Sequence, residues 1–357
     1  MRALVVLLAL AAAAGARGSG DPRLLWELKL PASAAEPARA ADDVLALRYS
    51  PDGKWIAAIV SSLTGEGDRS EVMLVPASGA APGVRHLRVE GGIRGTAERP
   101  GIHWSPASDV LAVETKRFTA AIFRLEGGTH CELPRTSVFG GFLGDGLVVA
   151  ADWEPPKDPA SIPLDSSSLT VYGADCRAQQ TWKVRGHVRD LELSAAAGLI
   201  ALGPEDAEIR VLRRASELEV AHVPERTGSM LRFGENGAVL CKADRDPRGA
   251  LACYELATGK RFVNPQISGG APFDVSLSGS IVLASDGSYG VEALSGSEHR
   301  GVRAWVVWDY RTGSTLGRIR YRGQRHGYAV SPVAMAPDGS RFAVAARGAI
   351  RVYEVAR

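Results

Sequence analysis

Polar and apolar positions between Leu47 and Ile59, LRYSPDGKWIAAI, form two short strand-like runs on either side of a four-residue turn. Pro51 presets φ, Asp52 bonds its own backbone, and Gly53 supplies the positive φ that other residues resist, so the stretch predicts a β-hairpin. The pattern returns as IHWSPASDVLAV, GGFLGDGLVVA, LELSAAAGLIAL, LRFGENGAVLCK, FDVSLSGSIVLA and VAMAPDGSRFAV. Seven copies make a repeat, and a repeat sets the architecture before any single element does.

A second register runs beside the first. Each copy is followed by another strand that ends at an aromatic or aliphatic residue before a turn. These residues are Val75, Phe123, Tyr172, Leu212, Tyr254, Trp308 and Tyr353, spaced 48, 49, 40, 42, 54 and 45 residues apart. A period of about 40–45 residues with four strands per unit is the spacing of β-propeller blades. The last copy ends at IRVYEVAR with only three strands, while LLWELKLPA at 24–32 is a lone strand ahead of the first copy. Joining the two completes the last blade and removes two open edges.

The chain resembles a seven-bladed WD40-like propeller over essentially all of residues 17–357. The fourth copy carries Gly186-His187 and the turn residue Asp206 of the WD40 pattern, and Trp308-Asp309 is a true WD dipeptide. SPDG followed by a short apolar strand is also similar to the periplasmic Tol-type propellers. The chain departs from the standard blade at Val211 and Leu212, where a tryptophan is usual, and most copies lack the Gly-His pair. The resemblance implies an all-β fold of four-stranded antiparallel blades. It also implies a non-catalytic platform that binds a protein or peptide, the alternative being a propeller-type hydrolase or lactonase with a metal or substrate at the channel mouth.

Residues 1–16, MRALVVLLALAAAAGA, hold one basic residue, an apolar run from Leu4 to Ala14 and a small-x-small site. They read as a secretory signal cleaved before Arg17, too short for a membrane span. A periplasmic or secreted protein with one propeller domain at 17–357 is expected. The 42 Lys and Arg nearly balance the 40 Asp and Glu, which argues against nucleic acid or an anionic membrane as partner. Export makes the four cysteines disulfide candidates. Cys241 and Cys253 fall opposite each other across one hairpin, whereas the geometry between Cys131 and Cys176, in successive repeats, stays open.

Linear enzyme motifs are missing, and the histidines at 86, 103, 130, 187, 222, 299 and 326 lack metal-ligand spacing, so no metal or cofactor is expected. One constellation comes from the alignment itself. Five residues before the turn glycine or its stand-in are Arg48, His103, Gly141, Glu192, Arg232, Asp274 and Ala334, which period-two alternation puts on the same face of their strands. Glu192, Arg232 and Asp274, on consecutive copies, are expected to form an inter-blade ion network.

Extra length gathers at 61–71, 91–101, 152–168, 286–303 and 320–328, between second and third strands or between blades, which open on the same face. Binding is expected there, through Trp153, Tyr289, His299, Arg325, His326 and Tyr328. Arg318, Arg320 and Arg322 alternate along an outer strand and read as a charged edge that resists strand addition.

Overall fold

The structure is a computed structural model. It describes residues 22–356 apart from 31–42, 94–100, 155–165, 244–249, 269–272, 287–301, 323–331 and other stretches of up to four residues. The signal segment 1–16 and the residues Tyr289, His299, Arg325, His326, Tyr328 and Asp206 lie outside the described residues.

The strands pair into four-stranded antiparallel sheets covering 43–88, 102–132, 138–185, 188–226, 230–268 and 273–322, with a further sheet at 333–354 that takes its fourth strand from Arg23–Lys29. In each sheet the first strand is innermost. The inner strand Asp43–Tyr49 packs against Ile102–Trp104 of the next sheet and also against Val333–Met335 of the last, and the other inner strands contact their neighbours in chain order. This is a propeller arrangement.

The core lies between sheets, because each sheet is apolar on both faces. Leu47, Tyr49, Ile56 and Ala58 of the first sheet pack with Ala343, Ile350 and Val352 of the last, while Ala46, Ala57 and Ile59 on the opposite face pack with Ile102, Leu111 and Phe123 of the second. The end-of-strand residues sit on third strands, each opposite an apolar residue of the second. The pairs include Ile56 with Val75, Leu111 with Phe123, Ile200 with Leu212, Val282 with Trp308 and Phe342 with Tyr353.

The hairpin turns follow their chemistry. In the first, the Ser50 hydroxyl donates to Asp52 Oδ1 at 2.6 Å and accepts from the Trp55 amide at 3.0 Å, while Gly53 takes φ 69°. In the second sheet Ser108 occupies the glycine position with φ 63°.

Arg23–Lys29 pairs antiparallel with Ala349–Glu354 and buries Leu28. Trp26 reaches further, to the sheet at 43–88. Its indole N–H donates to the Ala77 carbonyl at 3.1 Å, and its ring lies where a Cβ on Gly79 would come within 2.8 Å.

The extra segments are more regular than the sequence suggested. Residues 61–71, expected as an inserted loop, continue the second and third strands, with Ser61 opposite Ser70 and Thr64 opposite Gly67. Asp152–Glu154 likewise pairs with Ser166–Ser168. A polar stretch can still satisfy its backbone groups by continuing the ladder, while its composition reads as loop. Within 91–101, Ile93 bridges to Thr115 and is buried between the first two sheets.

Candidate site at the centre of the propeller

The aligned charged positions converge. Arg48, His103, Glu192, Arg232 and Asp274 all stand on innermost strands and line a central cavity of about 780 Å³. Each lies on the sheet face turned toward the following sheet. Arg48 is opposite Ala57, which packs toward the second sheet, and Glu192 is opposite Ala201, which packs toward the fifth.

Four of these residues form one cluster. Arg232 Nη1 donates to Glu192 Oε2 at 3.2 Å, and its Nε lies 3.6 Å from Asp274 Oδ1. Arg48 Nη1 donates to the same Asp274 oxygen at 2.8 Å, and its Nη2 stands 3.6 Å from Glu192 Oε1. The second Asp274 oxygen accepts from the Met335 amide at 2.9 Å. Their side chains are only 8–19% exposed. Burial pulls the Arg232 guanidinium below its ordinary value and the charge of Arg48 adds to this, against the raising effect of Glu192, Asp274 and Asp190. Arg48 is the member sequence reasoning left outside the network, although it occupies the same register position.

His103 stands apart from the cluster. Its Nε2 is 3.3 Å from Glu114 Oε1, and its ring meets Phe139 edge-on at 4.8 Å. The aligned position of the next sheet is Gly141, at φ 105°, where a Cβ would lie 2.9 Å from His103 Nδ1. A glycine here makes room for the imidazole. Ala334, the last aligned residue, is fully buried against the first sheet and does not line the cavity.

The cavity has a direction. Besides the aligned residues, it is lined by the first hairpin turns, among them Pro51, Pro106, Ala195, Asn236, Leu277 and Pro337. It therefore opens on the face that carries those turns. In a four-stranded antiparallel sheet, first-to-second and third-to-fourth connections share one face, and second-to-third and sheet-to-sheet connections share the other. The strand ends that flank the longer segments, at 94–100, 155–165, 287–301 and 323–331, lie on that other face. Trp153 belongs to the strand Val148–Glu154 on that side and pairs with Ser167. The remaining loop residues expected to bind lie outside the described residues.

On the turn face, Arg311 joins two sheets. It donates through Nε and Nη2 to Glu235 at 2.8 and 2.5 Å and through Nη1 to Glu255 at 2.5 Å, and the Tyr310 hydroxyl donates to Glu235 at 3.0 Å. Glu235 and Asn236 both take positive φ, 47° and 55°. Arg311 holds the Glu235 carboxyl below its usual range, outweighing burial. Sequence reasoning missed this clamp because Arg311 lies more than fifty residues along the chain from both carboxylates.

Cys131 is bonded to Cys176 and Cys241 to Cys253. The first bond ties the outer strand Gly128–Glu132 to a turn of the following sheet, and the second crosses one sheet between directly paired residues. Among the described residues, no group of three or more His, Cys, Asp or Glu side chains is arranged to hold a metal.

No protein-family model matches the chain, and no curated protein matches it either. Among solved structures, it is similar to a WD40-type propeller chain in the crystal structure of the mitotic checkpoint complex, with a TM-score of 0.60 and 14% identity over 100% of both chains. At that identity the likeness concerns the fold. The chain is an all-β protein with the WD40-type propeller fold.

Proposed function

We propose that this is an exported, seven-bladed WD40-like propeller, closed by Arg23–Lys29, that serves as a non-catalytic binding platform for a protein or peptide in the cell envelope or outside the cell. The observation that carries the binding reading is topological. The strand ends Glu154 and Ser166, Asp286 and Val302, and Arg322 and Val333 lie at one end of their sheets. The sequence between these ends is long, while the sheets at 188–226 and 230–268 have only short connections at that end. Variable loops on a rigid scaffold are where binding concentrates. The described carboxylates nearest the centre, Glu192 and Asp274, are engaged by arginines, which favours a structural role for that cluster over the hydrolase alternative.

Export is supported by the apolar run at 4–14 and the two disulfides, bonds that persist in oxidising compartments. Among the described residues, no helix is long and apolar enough to cross a membrane. N-terminal sequencing of the mature protein is expected to begin at Arg17.

The binding reading is tested by pull-down from envelope extract with the parent and with variants whose segments 94–100, 155–165, 287–301 and 323–331 are replaced one at a time by minimal turns. At least one variant is expected to lose the partner that the parent retains, through the loss of anchors such as Tyr289, Arg325 or Tyr328. Truncating one central aromatic or arginine anchor typically costs about 2 kcal/mol or more of binding. Equal capture by all four variants would remove the loop face from consideration.

A further inference from the structure

The central cavity opens on the face opposite the long loops, and its chemistry is that of a ligand site in its own right. Its volume of about 780 Å³ falls within the range of roughly 300–1,000 Å³ typical of small-ligand pockets. Its wall and rim carry apolar side chains, among them Trp104, Phe142, Phe233, Pro51, Pro337 and Leu277, beside the polar Asn236, Ser278 and Arg341. Leu277 is one of few large apolar side chains that the described residues expose, at 42%.

The floor is polar and rich in donors. The lining runs from the hairpin turns inward to the aligned positions and Gly140, which sets the ion cluster at its inner end. A guanidinium carries about five N–H donors, and the two arginines together make three hydrogen bonds, to Asp274, Glu192 and the Leu231 carbonyl. Among the described residues, Arg232 Nε has no hydrogen-bond partner and lies 3.6 Å from Asp274, but it is enclosed by protein and is not itself the donor that meets a ligand. Arg48 is the most exposed of the four, and its contact to Glu192, at 3.6 Å, is beyond hydrogen-bonding distance. Glu192 and Asp274 offset the two cations within the cluster, with Asp190 a further carboxylate near Arg232. The rim carboxylates are occupied in their own turns, Asp52 by the Ser50 hydroxyl and Lys54 amide and Asp338 by Ser340.

We propose that this turn-face cavity binds a carboxylate with an apolar body, the carboxylate accepting hydrogen bonds from Arg48 and Arg232 and the body packing against the apolar wall up to Leu277. A carboxylate suits the floor better than a neutral carbonyl because charge-assisted hydrogen bonds to a planar guanidinium are stronger and two-pronged. Two sources offer this chemistry: a free alkyl carboxylic acid and the C-terminus of a peptide ending in an apolar residue.

Isothermal titration of the intact mature protein with octanoate and with acetyl-Gly-Gly-Leu tests the proposal, octanamide and the C-terminal amide of the same peptide serving as controls. At least one acid is expected to bind, about tenfold or more tighter than its amide, as the strength of hydrogen bonds to charged groups implies. Binding of octanoate alone assigns a free acid, and binding of the peptide alone assigns a chain terminus. Leu277→Asp, on the exposed rim, is expected to weaken binding about tenfold with unchanged melting, a readout that survives should Arg48→Gln fail to fold. Absence of binding by both acids, equal binding of acid and amide, or an unaffected Leu277→Asp overturns the proposal. The four shortened-loop variants are expected to bind the acid like the parent. Loss of the loop-face partner and loss of this site are therefore distinguishable results.

Discussion

Arg48 Nη1 lies 2.8 Å from Asp274 Oδ1, although 226 positions separate them in the chain and the sheet at 333–354 stands between theirs. The same guanidinium approaches Glu192 on the far side of the centre. Together with Arg232 these residues tie inner strands of sheets that are not neighbours, so the cluster braces the ring across its middle.

That bracing sets the cost of breaking it. Arg232→Ala leaves Glu192 and Asp274 buried with one cation between them, and loss of one partner of a buried ion pair typically costs about 3–5 kcal/mol. Denaturant unfolding is expected to show a loss of this size, with a smaller loss for the more exposed Arg48→Ala. The double variant is expected to exceed the sum, because it leaves the same two buried carboxylates with no cation at all. Strict additivity would mean that the two act independently.

The two disulfides constrain the unfolded chain to different extents. The Cys131–Cys176 bond closes a 45-residue separation and the Cys241–Cys253 bond one of 12, for which chain entropy gives about 4 and about 3 kcal/mol. Paired serine substitutions are expected to lower the melting temperature more at 131 and 176. Peptide mapping without reductant is expected to recover both crosslinks, and four free thiols there would remove them from the account.

Trp26 makes the N-terminal strand a clasp between the last sheet and the first. Trp26→Ala is expected to cost about 2 kcal/mol, below the 3–5 of a wholly buried aromatic because its ring is only partly covered. Gly79→Ala attacks the same contact from the other side, adding a Cβ 2.8 Å from the indole at a residue with φ 78°. Deleting 17–32 is expected to lower stability sharply or abolish soluble expression. Unchanged melting after that deletion would show that the strand does not hold the ring.

The blades were legible in the sequence because their signals are local. Gly53 and Gly339 mark turns within four residues of the strands they join, and Tyr172 or Trp308 faces its partner within one sheet. Register was legible for the same reason, since Glu192, Arg232 and Asp274 share one place in their hairpins. What joins distant blades was not. Nothing beside Arg48 announces Asp274, and Cys131 meets Cys176 only because an outer strand abuts the next sheet's turn. The strand extension at 61–70 reads as loop because its polar sequence, SSLTGEGDRS, has no apolar alternation. The cavity's direction was hidden for another reason: length differences draw attention to the loop face, whereas the cavity is walled by the short, regular turns opposite.

The last prediction concerns acid. Arg311 holds Glu235 below its ordinary value of 4.5, and Glu255 is lowered by bonds from Thr258 and Arg311. A carboxyl whose folded value is depressed contributes stability that is fully present above its unfolded value. That contribution declines as pH falls below about 4.5 and is gone once pH passes below the folded value. The clamp joins the sheets at 230–268 and 273–322, so its loss loosens their junction on the turn face. Glu235→Gln is expected to be less stable than the parent at neutral pH, with the difference shrinking below pH 4.5 as the parent's own carboxyl takes up its proton. Because Arg311 is about a third exposed, the difference is expected to be modest, on the order of 1 kcal/mol, and to diminish in high salt. Melting curves of both proteins between pH 7 and pH 3 decide it: a gap that stays constant through that range would assign the effect of the substitution to packing rather than charge.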